Sequence, residues 1–194
     1  MNNIIHYTAI IQGTIGQGNN IGPGVLIAPN VEIGDNNFIG AYTAIGYAAE
    51  IKGNEQTVTG KVIIGNDNVI REYASIHSPG RTELTSIGDR CYIMNKVHVG
   101  HDCMIGDDVI ISALSSTGGV VTIKKFANLG QGVILRGRLT IGESAMLGCG
   151  AIVTKDVPDF QTWVGNPARF HKWNRVGMQR RGFNEKRIKE IMAF

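Results

Sequence analysis

The sequence is poor in the features that mark membrane, secreted or nucleic-acid-binding chains. No apolar run is long enough to span a bilayer. No basic-then-apolar segment opens the chain, so "MNNIIHYTAIIQG" reads as mature protein. Only three cysteines are present, Cys91, Cys103 and Cys149, an odd number without CxxC spacing. That argues against a disulfide framework and fits a reducing cytoplasm. Charge is also scarce: 19 basic against 16 acidic residues leave a net +3, and the basic residues gather near the C-terminus instead of forming a stripe. No nucleic-acid partner is expected from such a balance. Proline (5) and aromatics (7%) are sparse, whereas glycine is abundant at 26 of 194 residues. The 43% of hydrophobic residues suffices for the core of one ordinary domain.

Those hydrophobic residues are ordered by a period of six. Ile15, Ile21, Ile27, Ile33, Ile39 and Ile45 stand in register, and all but Ile27 are followed by glycine. A second block holds Ile64, Ile70 and Ile76. A third runs from Ile87 through Ile93, Val99, Ile105, Ile111, Thr117, Ile123, Leu129, Leu135, Ile141 and Leu147 to Val153, with Thr117 its one non-aliphatic member. Six matches neither an amphipathic helix nor an alternating hairpin. It predicts a left-handed parallel β-helix, all-β, in which each hexapeptide makes one side of a three-sided coil of eighteen residues. The aliphatic residue points inward, and Gly, Asn and Asp suit the corners.

The register breaks twice. The step from Ile45 to Ile64 is nineteen, one more than a full coil, across "AAEIKGNEQTVTGK"; the step from Ile76 to Ile87 is eleven, across "HSPGRTELTS". Insertions into a solenoid emerge at corners as loops, either neutral or functional. After Val153 the pattern ends. "KDVPDFQTWVGNPARF" reads as a closing turn, and Asn184 is expected to cap a short C-terminal helix. The expected division is thus a β-helix domain over 1–157 and a closing turn with helical extension over 158–194.

Chemistry concentrates in "NKVHVGHDCMIGDD", where His98, His101, Asp102 and Cys103 cluster. These side chains are all possible zinc ligands, but Val99 is an inward position, so His98 and His101 lie at different points around the coil. Metal binding by this quartet is not expected. Cys103 occupies a small-residue position and reads as packing. Imidazole can serve as a general base, or simply sit on a solvated rim; periodicity does not choose between these. The interior of such a coil is filled, so a ligand must bind on an outer face or between chains, most simply in a three-fold ring.

Beyond the repeat, "VIREYASIHSPG", "VHVGHDCMIGDDVIIS" and "DVPDF…GNPARF…RRGF" resemble the UDP-N-acetylglucosamine O-acyltransferases of lipid A synthesis along nearly the whole chain. The resemblance implies a homotrimer that moves an acyl group from acyl carrier protein to a sugar hydroxyl of a nucleotide sugar. It implies His101 as catalytic base, Asp102 as its carboxylate partner, and Gly119 as the source of an oxyanion-binding N–H. It implies substrate contacts from His98, His77, Glu50, Lys52, Asn174 and Arg180, the last suited to a phosphate or an acidic carrier protein. Neither a metal nor a bound cofactor is expected; the acyl thioester is a co-substrate.

The departures are specific. Val120 and Arg136 stand where that family has two further histidines. Cys149 stands where the family can have a glycine lining the acyl channel, so a shorter acyl group is expected. "VGNPAR" is typical of enzymes that use acetyl-CoA, and the chain stops soon after "RRGF", where that family continues into a longer helical domain. Two alternatives therefore stand beside the first reading. One is an acetyl-CoA-dependent N- or O-acetyltransferase of a nucleotide amino sugar. The other is a non-catalytic hexapeptide scaffold.

Overall fold

A computed structural model describes residues 2–193. Short strands follow one another from Ile4 to Val164 and pair in parallel with the strand one coil away; with the antiparallel strand Arg169–Trp173 added to the first, they make three sheets of ten, eight and seven strands. This is the left-handed, three-sided parallel β-helix that the sixfold period predicts. Ile21, Ile39, Ile70, Ile93, Ile111, Leu129 and Leu147 stack behind the first face. Ile27, Ile45, Ile76, Val99, Thr117, Leu135 and Val153 stack behind the second, and Ile33, Ile64, Ile87, Ile105, Ile123 and Ile141 behind the third. All are buried. Each aliphatic member contributes about 1.5–3 kcal/mol by leaving water, and every coil is stabilised by its neighbours. Thr117 is the polar exception: its Oγ1 accepts the Gly100 N–H at 2.9 Å, just before His101.

The corners are tighter than composition suggests. Their last residue takes a left-handed conformation, as in Asp102 (φ 60°), Val120 (φ 63°) and Arg138 (φ 65°) along one edge. Glycine, asparagine and aspartate were the expected occupants, yet Leu114, Val120 and Phe126 also adopt it. Each non-glycine there costs on the order of 1–3 kcal/mol. The strain is held by coil-to-coil bonds such as Val120 N–H to the His101 carbonyl (2.8 Å) and Arg138 N–H to the Gly119 carbonyl (3.0 Å).

Three expectations change. The step from Ile45 to Ile64 is not a full coil plus one residue. Ile64 pairs with Ile33, and Ile76 with Ile45, so Ile64 lies on the very next face. The nineteen-residue step is one ordinary hexapeptide plus a thirteen-residue loop at the corner between the second and third faces. The eleven-residue step likewise adds a five-residue loop at the same corner, one coil on. Second, the coil continues past Val153. Val157 bridges to Ile141, Gln161–Val164 pairs with the Met146–Leu147 strand, and Arg169–Trp173 turns back antiparallel on it. The segment expected as a closing turn therefore carries two strands joined by a turn at 165–168. Third, two helices follow: α1 (Arg175–Arg180), capped by Asn174, and α2 (Glu185–Met192), capped by Asn184 as expected. Among the described residues no helix is long and apolar enough to cross a membrane.

Candidate active site

Both inserted loops and the "VGHD" hexapeptide meet at the corner between the second and third faces. Asp102 is the anchor. Its side chain is fully buried, and an ionised carboxylate there must be surrounded by donors. The five-residue loop supplies them. Thr82 donates from Oγ1 (2.6 Å) and from its backbone N–H (2.7 Å), and the Gly80 and Arg81 N–H groups donate at 3.1–3.2 Å. His101 Nδ1 completes the set at 2.6 Å. Burial alone would raise the Asp102 pKa. The bonds from the Thr82 hydroxyl, His101 and the loop N–H groups outweigh it and hold the carboxyl at about 2.

An ionised carboxylate only accepts, so Nδ1 of His101 carries the proton and Nε2 presents its electron pair. Among the described residues no hydrogen bond engages that Nε2. Gly119, one coil on, lies flat against the ring: a Cβ there would meet His101 Cδ2 at 2.8 Å and Cε1 and Nε2 closer still. Only glycine fits. Within the described residues the Gly119 N–H bonds to nothing, while both neighbours' N–H groups are used in coil-to-coil bonds.

The thirteen-residue loop delivers Glu50. Its carboxylate lies 3.0 Å from His98 Nε2 and 3.8 Å from His77 Nε2. The two rings are 5.1 Å apart, one coil from each other on the second face. Burial pushes the His98 imidazole below its usual value, with Glu50 opposing. Lys52 lines the neighbouring groove with Glu50, Ile51 and Glu55.

Other residues singled out from the sequence lie elsewhere. Cys103 does not converge with the histidines. It is fully buried with Sγ against the Gly118 carbonyl at 3.3 Å, and burial raises its thiol. Cys149 is exposed on a different corner, between the first and second faces. Asn174 holds α1, accepting the Gly177 N–H at 3.0 Å and donating to the Ser144 carbonyl at 2.8 Å. Arg180 lines a cavity of about 540 Å³ with His171, Lys172 and Arg181, on the outside of the first face. That face is opposite the His101 corner, so in one chain the buried stacks separate Arg180 from His101.

Sequence reasoning missed Thr82, the Gly80 and Arg81 N–H groups, Ser75 and the Ala48 carbonyl, the last two bonded to Nδ1 of His98 and His77. Only the breaks in the sixfold register pointed to the loops that supply most of them.

Comparison with known proteins agrees with this architecture. The bacterial transferase hexapeptide model matches residues 12–47 and 84–119, and the model described as UDP-N-acetylglucosamine O-acyltransferase, domain 2, matches residues 156–194. A Burkholderia orbicola acyl-[acyl-carrier-protein]–UDP-N-acetylglucosamine O-acyltransferase is 35% identical over 77% of this chain, which spans 60% of that relative's length. The Francisella novicida UDP-N-acetylglucosamine acyltransferase structure is similar at 29% identity and TM-score 0.89, covering 98% of this chain and 76% of that one. The Campylobacter jejuni UDP-N-acetylglucosamine acyltransferase shares the fold at 24% identity and TM-score 0.88, covering 99% and 81% respectively. By its repeat, its C-terminal segment and its fold, the chain is a hexapeptide-repeat protein resembling the UDP-N-acetylglucosamine O-acyltransferases.

Proposed function

We propose that this protein transfers an acyl group from a thioester, on acyl carrier protein or coenzyme A, to a hydroxyl of a UDP-N-acetylglucosamine-like nucleotide sugar. The observation that carries this reading is the His101–Asp102 pair, closed over by Gly119. With Nδ1 tied to a buried carboxylate, Nε2 is the free base. It takes the proton of the acceptor hydroxyl as the oxygen attacks the thioester carbonyl. The Gly119 N–H stabilises the oxyanion that forms. The carbon–sulfur bond then breaks, and the departing thiolate takes the proton back from His101. Asp102 stabilises the imidazolium between the two transfers. Glu50, His77, His98 and Lys52 flank the base and contact the sugar nucleotide.

Asn174 and Arg180 complete the site only if they come from another copy, because the core of their own chain stands between them and His101. A homotrimer with each site at a chain boundary satisfies this, and Arg180 then faces the phosphates of donor or acceptor. The exposed Cys149 side chain, in place of glycine, favours a short acyl group over a long one. The setting for such substrates is the cytoplasm, in the synthesis of lipid A or of surface polysaccharide.

The test is His101→Ala, with thioester consumption followed for acetyl-CoA and for acyl carrier protein charged with short and long chains. The expected loss is about 10²–10⁴-fold in kcat with the oligomer unchanged on gel filtration. Near-normal turnover refutes the base assignment.

A further inference from the structure

Glu50, His77 and His98 form a group whose ligating atoms all lie within 4.8 Å of one another. Two features set it apart from a chance cluster of polar side chains. First, both rings are already oriented as metal ligands are: the Nδ1 of His77 donates to the Ala48 carbonyl at 2.9 Å, and the Nδ1 of His98 bonds Ser75 Oγ at 3.0 Å. Metal-bound imidazoles are held in this way through their second nitrogen. Second, a carbonyl only accepts, so the Nδ1 of a neutral His77 carries the proton, and its Nε2 electron pair faces the Glu50 carboxylate across 3.8 Å. An electron pair opposite an anion leaves a place for a cation between them, a proton or a metal ion.

We infer that Glu50, His77 and His98 bind a zinc-class divalent ion through two imidazoles and one carboxylate, with a fourth position open. Tetrahedral zinc with bonds of about 2.0–2.2 Å places its ligands about 3.3–3.5 Å apart. Glu50, on the exposed thirteen-residue loop, already lies 3.0 Å and 3.8 Å from the two Nε2 atoms. Two nitrogens and one oxygen suit zinc, copper or nickel, whereas magnesium and calcium prefer oxygen alone. The ion engages side chains that the preceding reading assigns to the sugar nucleotide, so, resting on that reading, zinc inhibits acyl transfer.

The experiment is calorimetric titration of the chelator-stripped full chain with zinc chloride. The expected result is one ion per chain at micromolar affinity or tighter, and no heat from magnesium chloride. Affinity falls about tenfold in Ser75→Ala and more in His77→Ala and Glu50→Gln, while His6→Ala, on the first coil, binds like the parent. Circular dichroism confirms that each variant is folded, and Glu50→Gln, on an exposed loop, is the variant safest for the fold. Equal zinc affinity in Glu50→Gln and the parent, or no binding by the parent, overturns the site. Tight binding without inhibition of turnover leaves the ion site standing and overturns the sugar-contact assignment instead.

Discussion

Adding one methyl group at Gly119 tests the site most sharply. In Gly119→Ala the three atoms nearest the new Cβ all belong to the His101 ring. That Cβ would lie 2.8 Å from His101 Cδ2, and nearer to Cε1 and Nε2, where ordinary contact is 3.4–4 Å. The ring must therefore retreat by about 1 Å, and it cannot do so while Nδ1 stays 2.6 Å from Asp102. A displacement of that size costs about 10²-fold in rate, or about 2.7 kcal/mol in the barrier. Steady-state transfer from the preferred thioester should show the loss mainly in kcat. Stability gives a second readout that needs no substrate. Overpacking against the held ring should destabilise the parent by about 1–3 kcal/mol in urea unfolding. The same change in a His101→Ala background should cost much less, because the ring that supplies its nearest contacts is gone. Equal destabilisation in both backgrounds, or parental kcat in Gly119→Ala, refutes the packing of Gly119 on the base.

Asp102→Asn probes the anchor through pH. The folded carboxyl titrates at about 2, below about 3.9 in the unfolded chain, so its stabilisation of about 2 kcal/mol is fully present above roughly pH 4 and is lost as pH falls toward 2. The stability gap between parent and Asp102→Asn should thus shrink from neutrality to pH 3 in urea titrations; a constant gap counts against the buried, donor-saturated carboxylate. Cys149→Gly should extend the acyl chain accepted, read by competing short and long thioesters in one reaction; an unchanged preference removes Cys149 from the acyl path.

Much of the fold was legible because a solenoid repeats one physical requirement every six residues. Almost every inward position holds an aliphatic side chain, so Ile21 and Ile39, one coil of eighteen apart, announce a face without any tertiary information. The capping of α2 by Asn184 was legible for a similar reason, being local. The breaks in register were visible too, but not their meaning. Hexapeptide phase repeats at every face, so a step of nineteen is equally one coil plus one residue or one face plus thirteen. Only the pairing of Ile64 with Ile33 distinguishes them.

The site divides along the same line. The sequence by itself determined the sixfold core, and the resemblance of the "VGHD" segment drew attention to His101 and Asp102 as a base and its partner, since adjacent residues need no folding to be neighbours. What the tertiary structure decided is which distant groups surround them. The Thr82, Gly80 and Arg81 donors reach Asp102 across about twenty residues, and Glu50 reaches His98 across forty-eight. Those contacts come from coils stacking one turn apart and from loops folding back over a corner. Neither leaves a periodic trace, because an inserted loop has no inward position to fill. The same stacking places Arg180 on the face opposite His101, an arrangement invisible in a linear motif and fixed by the buried core between them.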